Sequence, residues 1–204
     1  MNWLAHIFLS EQNIDFQMGN YLADPLKGKA WEDASYDLKK GIEVHMIIDS
    51  FTDAHEIVKQ SKSRLRDTGL LKSIVIDITY DYFLSKNWDR YCHIAFEEFT
   101  SNFYKNASNK LEYLPENASV YIEKIIKFNI LNKYQKIEHI EKAFGRFDKR
   151  LSQKLLSRDS TSSYFKAVEK NIDLLEKDFL EFFPQLCQKV IENVDSSKVS
   201  HFKI

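Results

Sequence analysis

The sequence predicts an all-α protein, a single-domain bundle of about seven or eight helices. Glycine and proline are scarce, with five Gly and three Pro among 204 residues, so the chain has few turns and favours long helices over many short strands. Apolar residues recur at helical spacing in the longer segments. No segment shows the strand, glycine-rich loop and helix of a phosphate-binding nucleotide fold, which argues against Rossmann and P-loop folds.

Glycine and proline positions divide the N-terminal half into four elements. Pro25 and Gly28 end a short second helix, and Gly69 follows a long third one. The fourth element contains β-branched residues that are typical of strands. Its apolar residues nevertheless recur every three or four positions over a long run, so we expect a helix. The four predicted spans are 2–10, which is a helix or a buried segment, 17–28, 36–66 and 70–86.

The C-terminal half is predicted to add the remaining helices to the same domain, residues 1–204. Pro115 lies near the start of one helix, and Pro184 is expected to kink or split the last. The polar tail, residues 193–204, is expected to fray. The predicted helical spans are 88–107, 114–131, 134–156 and 162–192.

Composition narrows the classes of function. The net charge is −1, so no global charge favours nucleic acid or an anionic membrane as a partner. The two cysteines, Cys92 and Cys187, form no CxxC pair, which fits a reducing compartment and argues against a zinc ribbon or a disulfide framework. The apolar N-terminal run is too short for a membrane span and has no basic region. We therefore expect a cytoplasmic protein.

Acidic and histidine side chains recur at four-residue spacing within apolar segments. His45, Asp49 and Asp53 share one side of the third helix, and Asp77 and Asp81 repeat the spacing in the fourth. A buried carboxylate is costly unless a cation or hydrogen bonds compensate it. Helical bundles bind divalent metals with such pairs on facing helices, and imidazole with carboxylate suits Mn²⁺, Fe²⁺, Mg²⁺ or Zn²⁺. Further candidate ligands near the N-terminus are His6, Asn20 and Asp24.

Ordinary structural roles are alternatives for several of these residues. A lone His45 on an amphipathic helix is most often a partly buried, hydrogen-bonded side chain. Asp53 can instead cap a new helix that begins within "SFTDAH". Asp24 can be a turn residue, and Asp81 can pair with a nearby surface cation.

Four motifs occur in order along the first ninety residues: "MNWLAH" at the N-terminus, "GNYLAD" at 19–24, "GIEVHMIIDSFTDAH" at 41–55 and "IVIDITYDYFLSKNW" at 74–88. Together they resemble the acyl carrier protein phosphodiesterase family, whose members carry MNxLAH, GNxxAD, GxxxHxxIDxFTDxH and DxxYDxxL. The resemblance is weaker over residues 91–204. Glu56 stands where the family pattern would have proline, a difference that affects a helix start more than the chemistry.

The resemblance implies a fold related to HD-domain metal-dependent phosphohydrolases. The implied reaction is hydrolysis of the phosphodiester that joins 4′-phosphopantetheine to a serine of holo-acyl carrier protein, with Mn²⁺ preferred and Mg²⁺ or Fe²⁺ as alternatives. Two other hypotheses are an HD-like phosphohydrolase that acts on a small nucleotide or phosphate ester, and a non-catalytic helical adaptor that binds the carrier protein.

Residue roles follow from the motifs and the spacing together. His55 or Asp53 is expected to orient the phosphate or the attacking water. The expected metal ligands are Asp24, His45, Asp49, Asp77 and Asp81, and the expected catalytic side chains are Asp24, His45, Asp49, Asp53, His55 and His6.

Two basic stretches are candidate docking surfaces for an acidic carrier protein. In residues 59–72 five cations outnumber one acid for a net charge of +4, and in 142–158 six cations outnumber one acid for +5, whereas 169–181 carries −3. Such segregation of charge steers an anionic partner, although charged runs on helices are most often only solvated faces. The candidate docking residues are Lys59, Lys62, Arg64 and Arg66, or Arg146, Lys149 and Arg150.

Overall fold

Helices build the whole architecture of residues 1–203, which are the residues that the computed structural model describes. The prediction of a single all-α domain is confirmed over this range, and its last predicted residue, 204, lies outside it. The relation to HD-domain proteins stays a prediction. The helices are α1 Trp3–Phe8, α2 Ile14–Leu22, α3 Tyr36–Ala54, α4 Glu56–Leu65, α5 Lys72–Lys86, α6 Trp88–Tyr91, α7 Phe96–Ser108, α8 Glu116–Lys127, α9 Ile137–Asp148, α10 Gln153–Leu156, α11 Phe165–Lys170 and α12 Ile172–Ile191.

The predicted long helix 36–66 is wrong, because the chain breaks at His55. This residue has an extended backbone with ψ of 132° and separates α3 from α4. Its imidazole accepts a hydrogen bond from Ile57 N and so caps the start of α4. Neither glycine nor proline marks this position. The alternative of a new helix that begins within "SFTDAH" lies close to the observed break, but the capping residue is His55 and not Asp53. The helix predicted over 70–86 is confirmed as α5.

The C-terminal half also differs in detail from the prediction. The span 88–107 is divided into α6 and α7 by an extended segment, where Cys92 forms a bridge with Phe202. Pro184 lies inside α12 and does not split it. Where the sequence predicts a fraying tail, Val199, His201 and Phe202 are buried against the core. None of the helices within residues 1–203 has the length and apolarity that crossing a membrane requires.

Helices α2 and α3 lie unusually close together, and two glycines permit this approach. A Cβ atom built at Gly19 would lie 2.8 Å from the carbonyl carbon of Leu38, and one built at Gly41 would lie 2.9 Å from Asn20 N. Both distances are below ordinary contact, and both partners are backbone atoms that cannot rotate away. The approach matters for function because α2 and α3 carry most of the candidate site.

Candidate active site

Three side chains from α1 and α3 converge beside the α2 backbone. Asp49 Oδ1 lies 3.2 Å from His6 Nε2, and Asp49 Oδ2 lies 3.1 Å from His45 Nε2. The two imidazole rings are stacked, with centroids 4.0 Å apart. His45 and Asp49 share one side of α3 because they are four residues apart. Both histidines are buried, whereas the Asp49 side chain is 36% exposed, so the cluster opens to solvent on its carboxylate side.

Asn20 on α2 orients both imidazole rings. Its backbone oxygen lies 2.8 Å from His45 Nδ1, and its side-chain Oδ1 lies 2.8 Å from His6 Nδ1. The amide orientation is consistent, because Asn20 Nδ2 donates to Ser10 Oγ at 3.0 Å. Carbonyl oxygens only accept hydrogen bonds, so each Nδ1 carries the proton. In the neutral form, Nε2 of each ring therefore presents a lone pair.

These lone pairs face other acceptors. His6 Nε2 lies 3.2 Å from Met1 O as well as from Asp49, and His45 Nε2 lies 3.3 Å from Asp24 Oδ1 as well as from Asp49. Acceptors at these distances repel each other unless a proton or a cation lies between them. Histidines that bind metals have this arrangement, with one ring nitrogen donating to a carbonyl and the other facing the ion. The donor set of the cluster therefore fits a divalent metal ion.

The pKa values of His45, His6 and Asp49 also indicate that the cluster stabilises a positive charge. Burial lowers the pKa of His45, but its hydrogen bonds to Asp24 and Asp49 outweigh burial and raise it to about 9. Burial and the neighbouring His45 lower the pKa of His6. Burial raises the pKa of Asp49, but hydrogen bonds from both imidazoles lower it overall. The cluster thus favours one cationic group beside an ionised Asp49.

Asp77 on α5 extends the cluster toward the N-terminus. The α-amino group of Met1 lies 3.1 Å from Asp77 Oδ1 and 3.5 Å from Asp49 Oδ1. Burial lowers the pKa of this amine, but the two carboxylates outweigh burial and raise it to about 10. An ammonium group therefore lies between the carboxylates of α3 and α5, which is again a position that favours positive charge.

Three of the predicted residues lie outside the cluster. Asp81 is fully buried and accepts hydrogen bonds from two backbone amides of α1, and burial raises its pKa to about 7. Asp53 is exposed and pairs with Lys62 at 2.9 Å. His55 caps α4, and its ring packs edge-on against Phe182 at 4.9 Å. Within residues 1–203, none of these contacts involves the side chains of His6, His45 or Asp49.

Two residues that contact the cluster were not predicted from the sequence. Met1 O and the Met1 α-amino group contact the cluster, although "MNWLAH" was used only as a motif. Ser10, which bonds both Asn20 and the His6 carbonyl oxygen, follows that motif without belonging to it. The asparagine of the GNxxAD pattern was the available signal for the orienting role of Asn20.

Comparison with known proteins yields one consistent set of relatives. The family model described as acyl carrier protein phosphodiesterase matches residues 1–186, well beyond the last motif. A protein of that name from Photorhabdus laumondii is 28% identical over 200 residues, which cover 96% of this chain and 97% of the relative. Relatives of the same name from Enterobacter sp. strain 638 and Escherichia coli O6:H1 are 27% and 26% identical, and cover 91% and 93% of this chain and 95% and 97% of their own lengths. No solved structure matches the chain.

Proposed function

The chain belongs to the acyl carrier protein phosphodiesterase family, and on this premise we propose that it uses a divalent metal ion to hydrolyse the phosphodiester between 4′-phosphopantetheine and a serine of holo-acyl carrier protein. The observation that supports metal dependence is that Nε2 of His6 and Nε2 of His45 both face the Asp49 carboxylate, at 3.2 Å and 3.1 Å. The proposed ion is Mn²⁺, with Mg²⁺ or Fe²⁺ as alternatives, because the ligands are imidazole and carboxylate without thiolate.

His6, His45 and Asp49 would hold this ion, with Asp24 and Asp77 as further oxygen ligands. A bound divalent ion neutralises phosphate charge, lowers the pKa of a bound water and stabilises the leaving serine oxygen. Asn20 keeps both rings turned so that Nε2 faces the cluster. The ligand atoms of the first three residues already lie within 4.8 Å of one another.

Asp24 is the most exposed carboxylate at the cluster. Its side chain is 72% exposed and lies in the turn after α2, while its Oδ1 contacts His45 Nε2. The cluster therefore opens toward solvent at Asp24 and Asp49. We propose Asp24 both as an oxygen ligand and, through its second carboxylate oxygen, as the group that accepts a proton from the attacking water.

Intact mass of holo-acyl carrier protein tests the reaction. Incubation with purified protein and Mn²⁺ should remove the mass of the prosthetic group, and D49N should not. D53N is the matched variant, because Asp53 lies one turn further along the same helix and pairs with Lys62; it decides whether Asp53 belongs to the catalytic set. An unchanged carrier mass under several metals, together with turnover of a nucleotide, would instead indicate a phosphohydrolase for small substrates.

The second basic stretch, residues 142–158, is the docking surface that we propose for the acidic carrier protein. In the other stretch, every cation already has a partner within the chain. Lys59 pairs with Glu56 at 2.7 Å, Lys62 with Asp53 at 2.9 Å, Arg64 with Asp178 at 2.7 Å and Arg66 with Asp159 at 3.7 Å, and Lys72 donates to the carbonyl oxygens of Arg66 and Asp67.

The cations of 142–158 make no ion pair or side-chain hydrogen bond within residues 1–203. Arg150 instead lies over the Trp3 ring, at 5.6 Å from its centroid. Trp3 is one turn before His6 on α1, so Arg150 connects this basic surface to the candidate site. Unpaired cations beside the site are favourable positions for an anionic partner.

Paired alanine variants test this choice of surface. Each unpaired rim cation contributes about 0.5–1 kcal/mol, so R146A/R150A should lower kcat/KM for the carrier about fivefold to thirtyfold, mainly through KM. K59A/K62A removes the same charge from the other stretch and should have little effect. A small chromogenic phosphodiester should be hydrolysed equally by all three proteins. An equal fall of kcat/KM for the carrier in both double variants would contradict the proposed docking surface. Turnover of the carrier that is insensitive to salt would contradict it as well.

A further inference from the structure

Helix α1 carries His6 but is too short to be stable by itself. It spans six residues, and isolated helices of this length are unstable in water. Its N-cap residue, Asn2, makes no side-chain capping bond, and Asn2 Nδ2 instead donates to Tyr134 Oη at 2.8 Å. The position of His6 therefore depends on the contacts that other parts of the chain make with α1.

Asp81 supplies the missing N-terminal cap from α5. Its Oδ2 accepts from Leu4 N at 2.8 Å, and its Oδ1 accepts from Ala5 N at 3.2 Å. These amides belong to the first turn, where a helix leaves its N–H groups unpaired and favours negative charge. Asp81 is fully buried, so water cannot replace it. The bond to Ala5 N fixes the Leu4–Ala5 peptide, which is one residue before His6.

His201 holds the other end of the same helix. Its Nε2 lies 2.8 Å from Phe8 O, which is the carbonyl of the last residue of α1, so the imidazole N–H donates. Phe202 stacks on the Phe8 ring with centroids 4.8 Å apart. His201 is 1% exposed. This contact comes from beyond residue 186, where the match to the family model ends.

We propose that Asp81 and His201 are positioning residues, which hold α1 from both ends and thereby keep His6 against His45 and Asp49. If α1 moved along or away from α5, the distance of 3.2 Å between His6 Nε2 and Asp49 Oδ1 would be lost. The expected loss of metal affinity rests on the proposed function. The expected displacement of the His6 ring depends only on the contacts of α1 and does not rest on that function.

Asp159 provides a closely matched control for Asp81. It is also buried, at 8% exposure, and its Oδ2 accepts from two consecutive amides, Leu70 N at 2.7 Å and Leu71 N at 3.1 Å. These amides precede α5, a helix of fifteen residues that packs against several others. D159N therefore removes a buried carboxylate that also accepts from two consecutive amides, together with its contacts to Tyr164 Oη and Arg66, at a place that does not touch α1.

The experiment compares wild type, D81N, D159N and H201F. Calorimetry measures Mn²⁺ affinity, and ¹H–¹³C spectra of the imidazole rings report the stacking of His6 on His45. We expect D81N to weaken Mn²⁺ binding about tenfold to a hundredfold and to shift the His6 ring signals. H201F keeps the aromatic contacts. It should weaken Mn²⁺ binding and shift the His6 ring signals in the same direction as D81N, but to a smaller extent. D159N should lower the melting temperature but leave the Mn²⁺ affinity and the His6 ring signals as they are in wild type.

Each outcome decides the proposal. If D81N leaves the His6 signals and Mn²⁺ affinity unchanged while it lowers the melting temperature as D159N does, Asp81 is only a structural cap and the proposal fails. If wild type binds no Mn²⁺, the metal part of the proposed function fails, and the His6 ring signals alone decide the positioning role. If D81N does not fold, H201F against D159N gives the same comparison.

Discussion

Replacement of Gly41 by alanine tests whether the close approach of α2 and α3 sets the geometry of the site. A Cβ at this position would lie 2.9 Å from Asn20 N and closer still to the carbonyl oxygen of Phe16. Ordinary contact begins at 3.4 Å, so the helices must separate by at least about 0.5 Å, because backbone atoms cannot turn aside. The separation acts directly on Asn20, which orients both histidines.

The alanine substitution is expected to lower the free energy of unfolding. Overpacking of this kind costs about 1–3 kcal/mol, and the better helix propensity of alanine offsets up to about 1 kcal/mol. A net loss of about 1–2 kcal/mol corresponds to a fall of about 2–8 °C in the melting temperature of a protein of this size. The bond of 2.8 Å between Asn20 O and His45 Nδ1 would lengthen toward about 3.3 Å or more, near the limit of a hydrogen bond.

The assay combines thermal unfolding with Mn²⁺ titration and turnover of holo-carrier protein. G41A should lower the melting temperature and weaken Mn²⁺ about tenfold. G145A is the control, since a Cβ there meets only Ser162 Oγ at 3.9 Å, and it should be neutral or stabilise α9 by up to about 1 kcal/mol. A G41A protein that melts at or above wild type and keeps its Mn²⁺ affinity would refute the link between helix spacing and ligand geometry.

D24N and D49N should each abolish turnover while the far-UV circular dichroism stays that of wild type; full activity in either variant removes that residue from the site. Mn²⁺ at about one hundred times its dissociation constant should stabilise the fold by about 2.7 kcal/mol, or about 5–11 °C, and a chelator should reverse this; an unchanged melting temperature would argue against a metal. Burial raises the pKa of Asp148, but hydrogen bonds from Ser162 and Thr161 lower it below the usual value, so its stabilising effect is present above about pH 4 and is lost as the pH falls through the folded-state pKa. The difference in unfolding free energy between wild type and D148N, measured in urea, should therefore shrink from pH 5 to pH 3, and a constant difference would contradict this reading.

The sequence predicted the histidine–carboxylate pair of α3 for a simple reason. His45 and Asp49 are four residues apart, and any α-helix places such residues on one side. The same rule failed to distinguish Asp77 from Asp81, which have the same spacing on α5. Asp77 meets the Met1 amine beside Asp49, whereas Asp81 is buried against the amides of α1. The packing partner of a side chain separates these roles, and spacing does not describe it.

The two basic stretches also show that the sequence does not reveal the packing partners of side chains. By charge they are nearly equivalent, at +4 and +5. The structure distinguishes them because the cations of the first stretch are paired with acids such as Asp178 and Asp159, which are about ninety or more residues away in sequence. Such pairs arise when distant helices pack together, and a count of charges along the chain cannot detect them.

The sequence alone was sufficient to determine the all-α class, the family and the four motifs that contain the cluster, because these depend on local periodicity and on residue types at fixed spacing. Only the tertiary structure decided that Asn20 orients His6 and His45, that α1 is capped by Asp81, and that the chain breaks at His55. The first two depend on hydrogen bonds between groups that lie 14 to 77 residues apart, and these form only when the helices that carry them meet.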